Sequence, residues 1–335
     1  MGAQGAGGRG QGAELDLVAA ITRSLGGAPG RVLTGPGDDA AVVRAGGVAV
    51  TSIDTVVDGV HFEMATHSPS DIGHKALATA LSDIAAMGAE AGEAFVSLAL
   101  PEGFGRADAL ELVAAMHELA ARQGVAIAGG DVVSAPTLAV TVSVTGWSNA
   151  PERLLYRSGA KAGDIVGVTG ELGGSAAGLL LLGGCRVELA AAEREGLLGR
   201  HRRPEPLVAT GLALAGAGVR AAIDLSDGLA TDASHLASAS GVEIELRLAD
   251  LPLATGVGAV AEACGRDPHE LAATGGDDYE LLFTAAPASR AGVERAAAAT
   301  GARVTWVGDV GAGGAGLVLR GAGGGLVELR GYEHG

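Results

Sequence analysis

The 335-residue chain is 48% hydrophobic and 19% charged, a composition that excludes wholesale disorder and gives length enough for two ordinary domains. Its 23 basic residues against 39 acidic ones leave a formal charge of −16, which argues against nucleic acid and admits a small anion where carboxylates gather divalent cations. The longest purely apolar run, near 179–182, is far too short for a bilayer, so no membrane is expected.

In chain order, residues 1–13 are rich in Gly and Ala and read as a loose tail rather than a signal peptide. Helical periodicity follows at 14–25, a strand at 48–53, a helix at 72–87, a strand at 94–100, a helix at 107–123 and an alternating strand at 138–147. The turn formers in Gly146-Trp147-Ser148-Asn149-Ala150-Pro151 mark a junction near residue 150, so the expected domains are 14–150 and 151–335. Beyond it the periodicity gives strands at 164–168, 242–246, 280–284 and 304–307, and helices at 173–182, 206–215, 228–238 and 291–299. This alternation predicts a layered α/β or α+β fold. The two cysteines, Cys185 and Cys264, form no C-x-x-C pair and make no disulfide framework, which reads as a cytoplasmic chain without redox chemistry.

Gly5-Ala6-Gly7-Gly8-Arg9-Gly10 and Gly311-Ala312-Gly313-Gly314-Ala315-Gly316 both satisfy G-x-G-x-x-G, but among 57 glycines such matches arise by chance. The first follows no strand and the second leads into the strand-like Leu317-Val318-Leu319, so neither opens a dinucleotide fold. No G-x-x-x-x-G-K-[ST] is present, which excludes a P-loop kinase.

A stronger signal is an aspartate recurring at six places, flanked by Gly, Ser or a second Asp: Gly37-Asp38-Asp39, Ser52-Ile53-Asp54, Ser82-Asp83, Gly129-Gly130-Asp131, Asp224-Leu225-Ser226-Asp227-Gly228 and Gly275-Gly276-Asp277-Asp278. Any one alone reads as a cap or turn residue. Asp83 lies in an apolar helical stretch and Asp224 follows Ala221-Ala222-Ile223; an unpaired carboxylate is costly to bury, so the two point to a shared cation. The glycine pairs before Asp131 and Asp277 either let a ligand approach the backbone or make simple turns. Ser226-Asp227-Gly228-Leu229 either caps a helix or also offers N–H groups to phosphate. Arg157, just past the junction, is either a fork for polyphosphate or a solvated loop charge. His61 either contacts an anionic substrate or caps a strand.

Together, Gly37-Asp38-Asp39-Ala40-Ala41-Val42, Asp54 with Gly59-Val60-His61-Phe62, Leu81-Ser82-Asp83-Ile84-Ala85-Ala86-Met87-Gly88-Ala89 and Gly129-Gly130-Asp131 resemble the motifs of the thiamine-monophosphate kinase family. Arg157-Ser158-Gly159-Ala160-Lys161-Ala162-Gly163-Asp164, Asp224-Leu225-Ser226-Asp227-Gly228-Leu229, Gly275-Gly276-Asp277-Asp278-Tyr279-Glu280-Leu281 and Gly331-Tyr332-Glu333-His334 continue that resemblance in the family's order. It implies a two-domain fold similar to aminoimidazole ribonucleotide synthetase, with an N-terminal sheet-and-helix domain forming a homodimer and a C-terminal α/β domain.

By motif position the resemblance implies Mg²⁺ ligands at Asp39, Ser52, Ile53, Asp54, Asp83, Asp131, Asp224 and Asp227, and ATP contacts at Gly130, Asp131, Arg157 and Ser226. It implies substrate contacts at His61, Asp277 and Tyr332, with Asp54, Asp83, Asp131, Asp224 and Arg157 serving catalysis. Two positions depart from the family: Asp277 stands where it usually has Glu, and Ile53 stands where a hydroxyl residue often does, leaving only a backbone carbonyl there for a metal.

The expected reaction is direct in-line transfer of the ATP γ-phosphate to thiamine monophosphate, helped by several Mg²⁺ ions and needing no strong base because the acceptor phosphate is already ionised. Competing readings are an amidine-forming synthase of the same superfamily and a catalytically silent nucleotide-binding module.

Overall fold

The computed structural model describes residues 8–26, 30–36, 40–321, 323–329 and 331. The chain divides into two compact units, Met1–Ala80 with Ala91–Trp147, and Leu81–Glu90 with Ser148–Gly335. Among the described residues, no helix is long and apolar enough to cross a membrane.

The first unit opens with α1 (Gly8–Leu25), which begins inside the stretch expected to be a loose tail. A small antiparallel ribbon of β1 (Val32–Thr34) and β2 (Val42–Val43) follows. Next come β3 (Val48–Val57), α2 (Pro69–Ala86), β4 (Glu90–Leu100), α3 (Arg106–Gln123), β5 (Ala126–Ser134) and β6 (Ala139–Ser148). The last turns of α2, from Leu81, are counted with the second unit.

Four strands form one sheet in the order β3-β6-β4-β5. β4 and β5 are parallel, and α3 supplies the crossover that a parallel pair requires. Thr51 meets Thr145 at 3.1 Å and Thr55 meets Thr141 at 2.9 Å, the reversed order of an antiparallel β3/β6 pair. Strand β6 alternates in burial, hiding Val140, Val142 and Val144, while α3 buries Leu112, Met116 and Leu119 on one face. Asp108 fixes the start of α3 by accepting the Gly105 N–H at 3.0 Å, and Gly124 ends it with a left-handed φ of 70°.

The second unit contains β7 (Ile165–Thr169), α4 (Gly174–Leu182), α5 (Ala191–Arg202), α6 (Val208–Gly216), β8 (Val219–Asp224), α7 (Leu229–Ser240) and β9 (Glu243–Arg247). It continues with α8 (Val257–Ala263), α9 (Pro268–Thr274), β10 (Leu281–Ala285), α10 (Arg290–Ala299), β11 (Val304–Gly311), β12 (Gly316–Arg320) and β13 (Leu326–Val327). Its seven-stranded sheet runs β13-β12-β9-β11-β7-β10-β8, antiparallel at every step except β12/β9.

Helix α7 covers one face of that sheet, packing Leu229, Ala233 and Leu236 with Val168, Ile223, Ile244 and Leu282. Residues alternate in β10, so Phe283 turns the other way and meets Trp306 edge-on at 5.7 Å. The ring sits over Gly167, where a Cβ would come within 2.7 Å of it, so this β7 position admits no side chain.

Helices α4, α5, α8 and α9 enclose a separate cluster around Leu181, Leu197, Val257, Val260 and Leu271. Beside it Cys185 and Cys264, 79 positions apart, are paired as a disulfide with Cα atoms 6.6 Å apart. This corrects the expectation from spacing, which has no access to residues that the fold brings together.

Leu81–Glu90 is bound into the second unit at several points. A Cβ on Gly211 of α6 would collide with the Ala85 carbonyl, which shows how closely the two backbones pass. The Leu155 N–H donates to Met87 O at 3.0 Å.

Candidate active site

Along β3, Ser52 and Asp54 share one face, and the Ser52 hydroxyl donates to Asp54 Oδ2 at 3.3 Å. Ile53 points to the opposite face and is 68% exposed. The Ser52 carbonyl accepts the Ser143 hydroxyl from β6 at 3.2 Å, which helps hold this segment of β3. Just beyond β3, His61 Nδ1 accepts the Val57 N–H at 3.1 Å, while the His61 backbone N–H donates to the Val57 carbonyl at 2.9 Å. That geometry favours Nε2 as the protonated nitrogen of the neutral ring. His61 therefore does cap the end of the strand, and its ring is held in one orientation as it does so.

Gly129, Gly130 and Asp131 lie inside β5 rather than in a turn, with Asp131 opposite Ser97 of β4. A Cβ on Gly130 would strike the Val96 carbonyl, so the glycine is demanded by the neighbouring strand as well as being open to solvent. Asp131 and Gly130 border a cavity of 520 Å³ whose wall is mostly apolar, including Ile21 of α1, Phe95 of β4 and Met116 of α3. An apolar wall beside a carboxylate and a bare backbone suits a ring-bearing polar ligand.

In the second unit the segment from Asp224 to Gly228 leaves β8 and enters α7. Its first carboxylate is 4% exposed and accepts the hydroxyl of the fully buried Ser82 at 2.8 Å. Asp83, the next residue of α2, is half-buried rather than enclosed, which weakens the burial argument made for it from sequence.

Opposite the segment, Leu225 donates to the Glu280 carbonyl at 2.8 Å and accepts the Tyr279 N–H at 2.8 Å, and Ser226 O accepts the Asp277 N–H at 2.9 Å. From within α7, Asp232 Oδ2 accepts the N–H groups of Ser226 at 3.1 Å and Asp227 at 3.2 Å. Burial pushes Asp232 up to about 8, the nearby Asp224 and Asp227 carboxylates adding to the rise and the two N–H groups opposing it.

The glycine pair before Asp277 serves close packing. A Cβ on Gly275 would meet the Ala176 side chain, and one on Gly276 would lie 2.6 Å from Ser226 O. The positive φ values fall instead on Asp277 at 65° and Tyr279 at 50°, an uncommon backbone for non-glycine residues that is typical of functional segments. The Tyr279 hydroxyl donates to Asp277 Oδ1 at 2.9 Å.

Between them Asp278 turns to the start of α4 and accepts N–H groups from Gly173 at 2.8 Å and Ser175 at 3.4 Å. Burial pushes Asp278 up to about 7 against those bonds, with Glu280 adding to the rise. Glu280 is itself raised by burial, opposed chiefly by the Thr169 hydroxyl at 2.6 Å.

Arg157 is exposed, and its backbone is anchored where the Ser240 hydroxyl donates to its carbonyl at 2.9 Å. Gly331 donates to Thr231 Oγ1 at 3.0 Å. Asp39 and Tyr332 lie outside the described residues. Among the described residues, no three acidic, His or Cys side chains converge as a ready metal-binding group. Asp232 belongs to none of the sequence motifs, and Ser82 and Asp278 stand in theirs without an assigned role; each does its work through a hydrogen bond formed only on folding.

The family model for the AIR synthase related protein N-terminal domain matches residues 37–148, and that for the C-terminal domain matches 161–319. The thiamine-monophosphate kinase of Mycobacterium tuberculosis is 43% identical over 256 residues, covering 76% of this chain and 75% of that protein. The chain belongs to the thiamine-monophosphate kinase family. A crystal structure of thiamine-monophosphate kinase from Stenotrophomonas maltophilia superposes with a TM-score of 0.80 at 33% identity, over 93% of this chain and 96% of that one. AaThiL complexed with AMPPCP and TMP gives a TM-score of 0.75 at 29% identity, over 97% of this chain and 98% of that one. With the thiamine-monophosphate kinase family in hand, the two-domain aminoimidazole ribonucleotide synthetase-like fold expected from the motifs is the fold of this chain.

Proposed function

We propose that this chain transfers the γ-phosphate of ATP to thiamine monophosphate, releasing thiamine diphosphate and ADP. A phosphate oxygen of the acceptor attacks the γ-phosphorus in line as the bond to the β–γ bridging oxygen breaks. No side chain need act as a strong base, because the acceptor is already an oxyanion. The observation that carries the reading is the placement of Asp224, Ser226 and Asp227 on one short segment braced by Ser82, Asp232 and the backbone of Asp277–Glu280, in a chain of the kinase family.

The cavity beside Gly130 and Asp131 suits the adenine ring, Arg157 and Ser226 the polyphosphate, and His61 with Asp277 and Tyr332 the acceptor. We assign Mg²⁺ to the oxygen donors of Asp39, Ser52, Ile53, Asp54, Asp83, Asp131, Asp224 and Asp227, which are hard ligands of the right chemistry. When bound, Mg²⁺ neutralises phosphate charge and lets donor and acceptor approach. The reading includes a cytoplasmic setting, where ATP is available, and a homodimer, which the exposed Ile53 and Val133 of the first unit's sheet support.

The test incubates purified protein with ATP, Mg²⁺ and thiamine monophosphate, following ADP and thiamine diphosphate together. Equal formation of both, dependent on Mg²⁺ and lost with free thiamine, is expected. Folded, ATP-binding protein that makes no thiamine diphosphate would overturn the reading. Light scattering of the same preparation reads the dimer.

A further inference from the structure

We propose that Asp232 is a positioning residue for phosphoryl transfer: its carboxyl group captures the amides of Ser226 and Asp227 and thereby sets the direction of the Ser226 hydroxyl and the Asp227 carboxylate. The assignment of those two side chains to nucleotide and metal rests on the function proposed above.

The turn into α7 lacks an ordinary cap. Gly228 occupies the N-cap position with φ 102°, and no side chain there accepts an N–H from the first turn. An acceptor is supplied from the other direction, by Asp232 reaching back from the first turn of the helix to a single point, Oδ2, that two successive N–H groups share. Asp232 is only 2% exposed and is flanked on its own helix by the buried Leu229, Ala230, Ala233 and Leu236. A polar group at such a place is tolerated when its hydrogen bonds are made, and here they are made to the loop that matters.

This arrangement also changes what the helix start offers a phosphate. The Ser226 and Asp227 N–H groups are turned inward, so the segment presents its ligand contacts through side chains. Without Asp232 the two amides lose their partner, while the segment's bonds to the Asp277–Glu280 backbone and, at Asp224, to Ser82 remain.

The decisive comparison is Asp232→Ala with Asp232→Asn, whose amide oxygen still accepts both N–H groups. Asp232→Ala is expected to raise the KM for ATP and the Mg²⁺ concentration for half-activity about tenfold, the effect of one lost hydrogen-bond interaction of ordinary strength. Asp232→Asn should stay within about threefold of the parent, since the acceptor survives. Amide hydrogen exchange without ligands gives a readout independent of turnover: Ser226 and Asp227 should lose protection in the alanine variant and keep it in the asparagine variant.

Unchanged exchange at both amides in Asp232→Ala, or an asparagine variant as impaired as alanine, would overturn the proposal. A lower melting temperature with unchanged KM values and Mg²⁺ requirement would overturn it too, by reducing Asp232 to a fold residue. If alanine prevents folding, Asp232→Ser, whose hydroxyl is too short to reach the loop, takes its place under the same criteria. Failure of the parent protein to phosphorylate thiamine monophosphate is a separate result that removes the functional reading, while the exchange data still report on Asp232.

Discussion

The Ser82 hydroxyl donates to Asp224 Oδ2 across 2.8 Å, joining a residue of α2 to the last residue of β8 over a sequence separation of 142. Both groups are buried, so Ser82→Ala leaves a carboxylate oxygen short of a donor where water has little access. The expected loss in kcat/KM is about tenfold or more, on the order of 1.5–3 kcal/mol for a hydrogen bond to a charged group. Steady-state kinetics with both substrates check this; parent-like kinetics would remove Ser82 from the site.

Asp83→Asn should abolish most turnover while leaving the melting temperature nearly unchanged. The residue is half-buried on α2 beside Ser82, so the substitution preserves shape while removing the charge proposed to hold Mg²⁺. A magnesium titration of the variant, alongside its thermal melt, separates lost metal affinity from lost fold.

Tyr279→Phe keeps the ring and deletes the bond to Asp277 Oδ1. Asp277 is proposed to face the acceptor, so the KM for thiamine monophosphate should rise several-fold with kcat little altered and the KM for ATP unchanged. A fall in kcat at constant KM would place Tyr279 with the reacting groups instead.

Asp278 gives a pH prediction with a definite sign. Its folded pKa of about 7 lies above the unfolded value of 3.8, so the folded state holds this proton more tightly. The contribution to stability is therefore complete below pH 3.8 and is lost as pH rises through about 7. Melting temperatures taken across that window should fall for the parent relative to Asp278→Asn, which has no proton to lose. Parallel curves would contradict the assignment.

The long helices are legible because each carries an apolar stripe: α3 begins one residue before its expected start, and α2 begins three residues earlier and ends one residue earlier than expected. α5 is not, because only Leu197 and His201 of its residues are buried and no stripe forms. β5 was hidden by its glycines, which look like turn formers until Val96 of β4 is seen against Gly130. β8 is hidden by its composition: its apolar Ala221-Ala222-Ile223 is mostly alanine, a weak strand former, and only Val219 and Ile223 are β-branched. At the site, Asp224, Ser226 and Asp227 announced themselves by spacing, whereas Asp232 looks like any polar residue on a helix. Its meaning comes from where its carboxyl turns, and no pattern in the sequence records that.

The grouping of Leu81–Glu90 with Ser148–Gly335 has a consequence for biogenesis. On the ribosome this segment emerges before any of its partners in Ser148–Gly335 exists, so the second unit completes its packing only after β8 and α6 are translated. A fragment begun at Ser148 would lack its inserted wedge, exposing the groove where Gly211 meets Ala85 and leaving Asp224 without the Ser82 hydroxyl. Gene fragments meant to yield that half as a free-standing module therefore have to carry residues 81–90 as well.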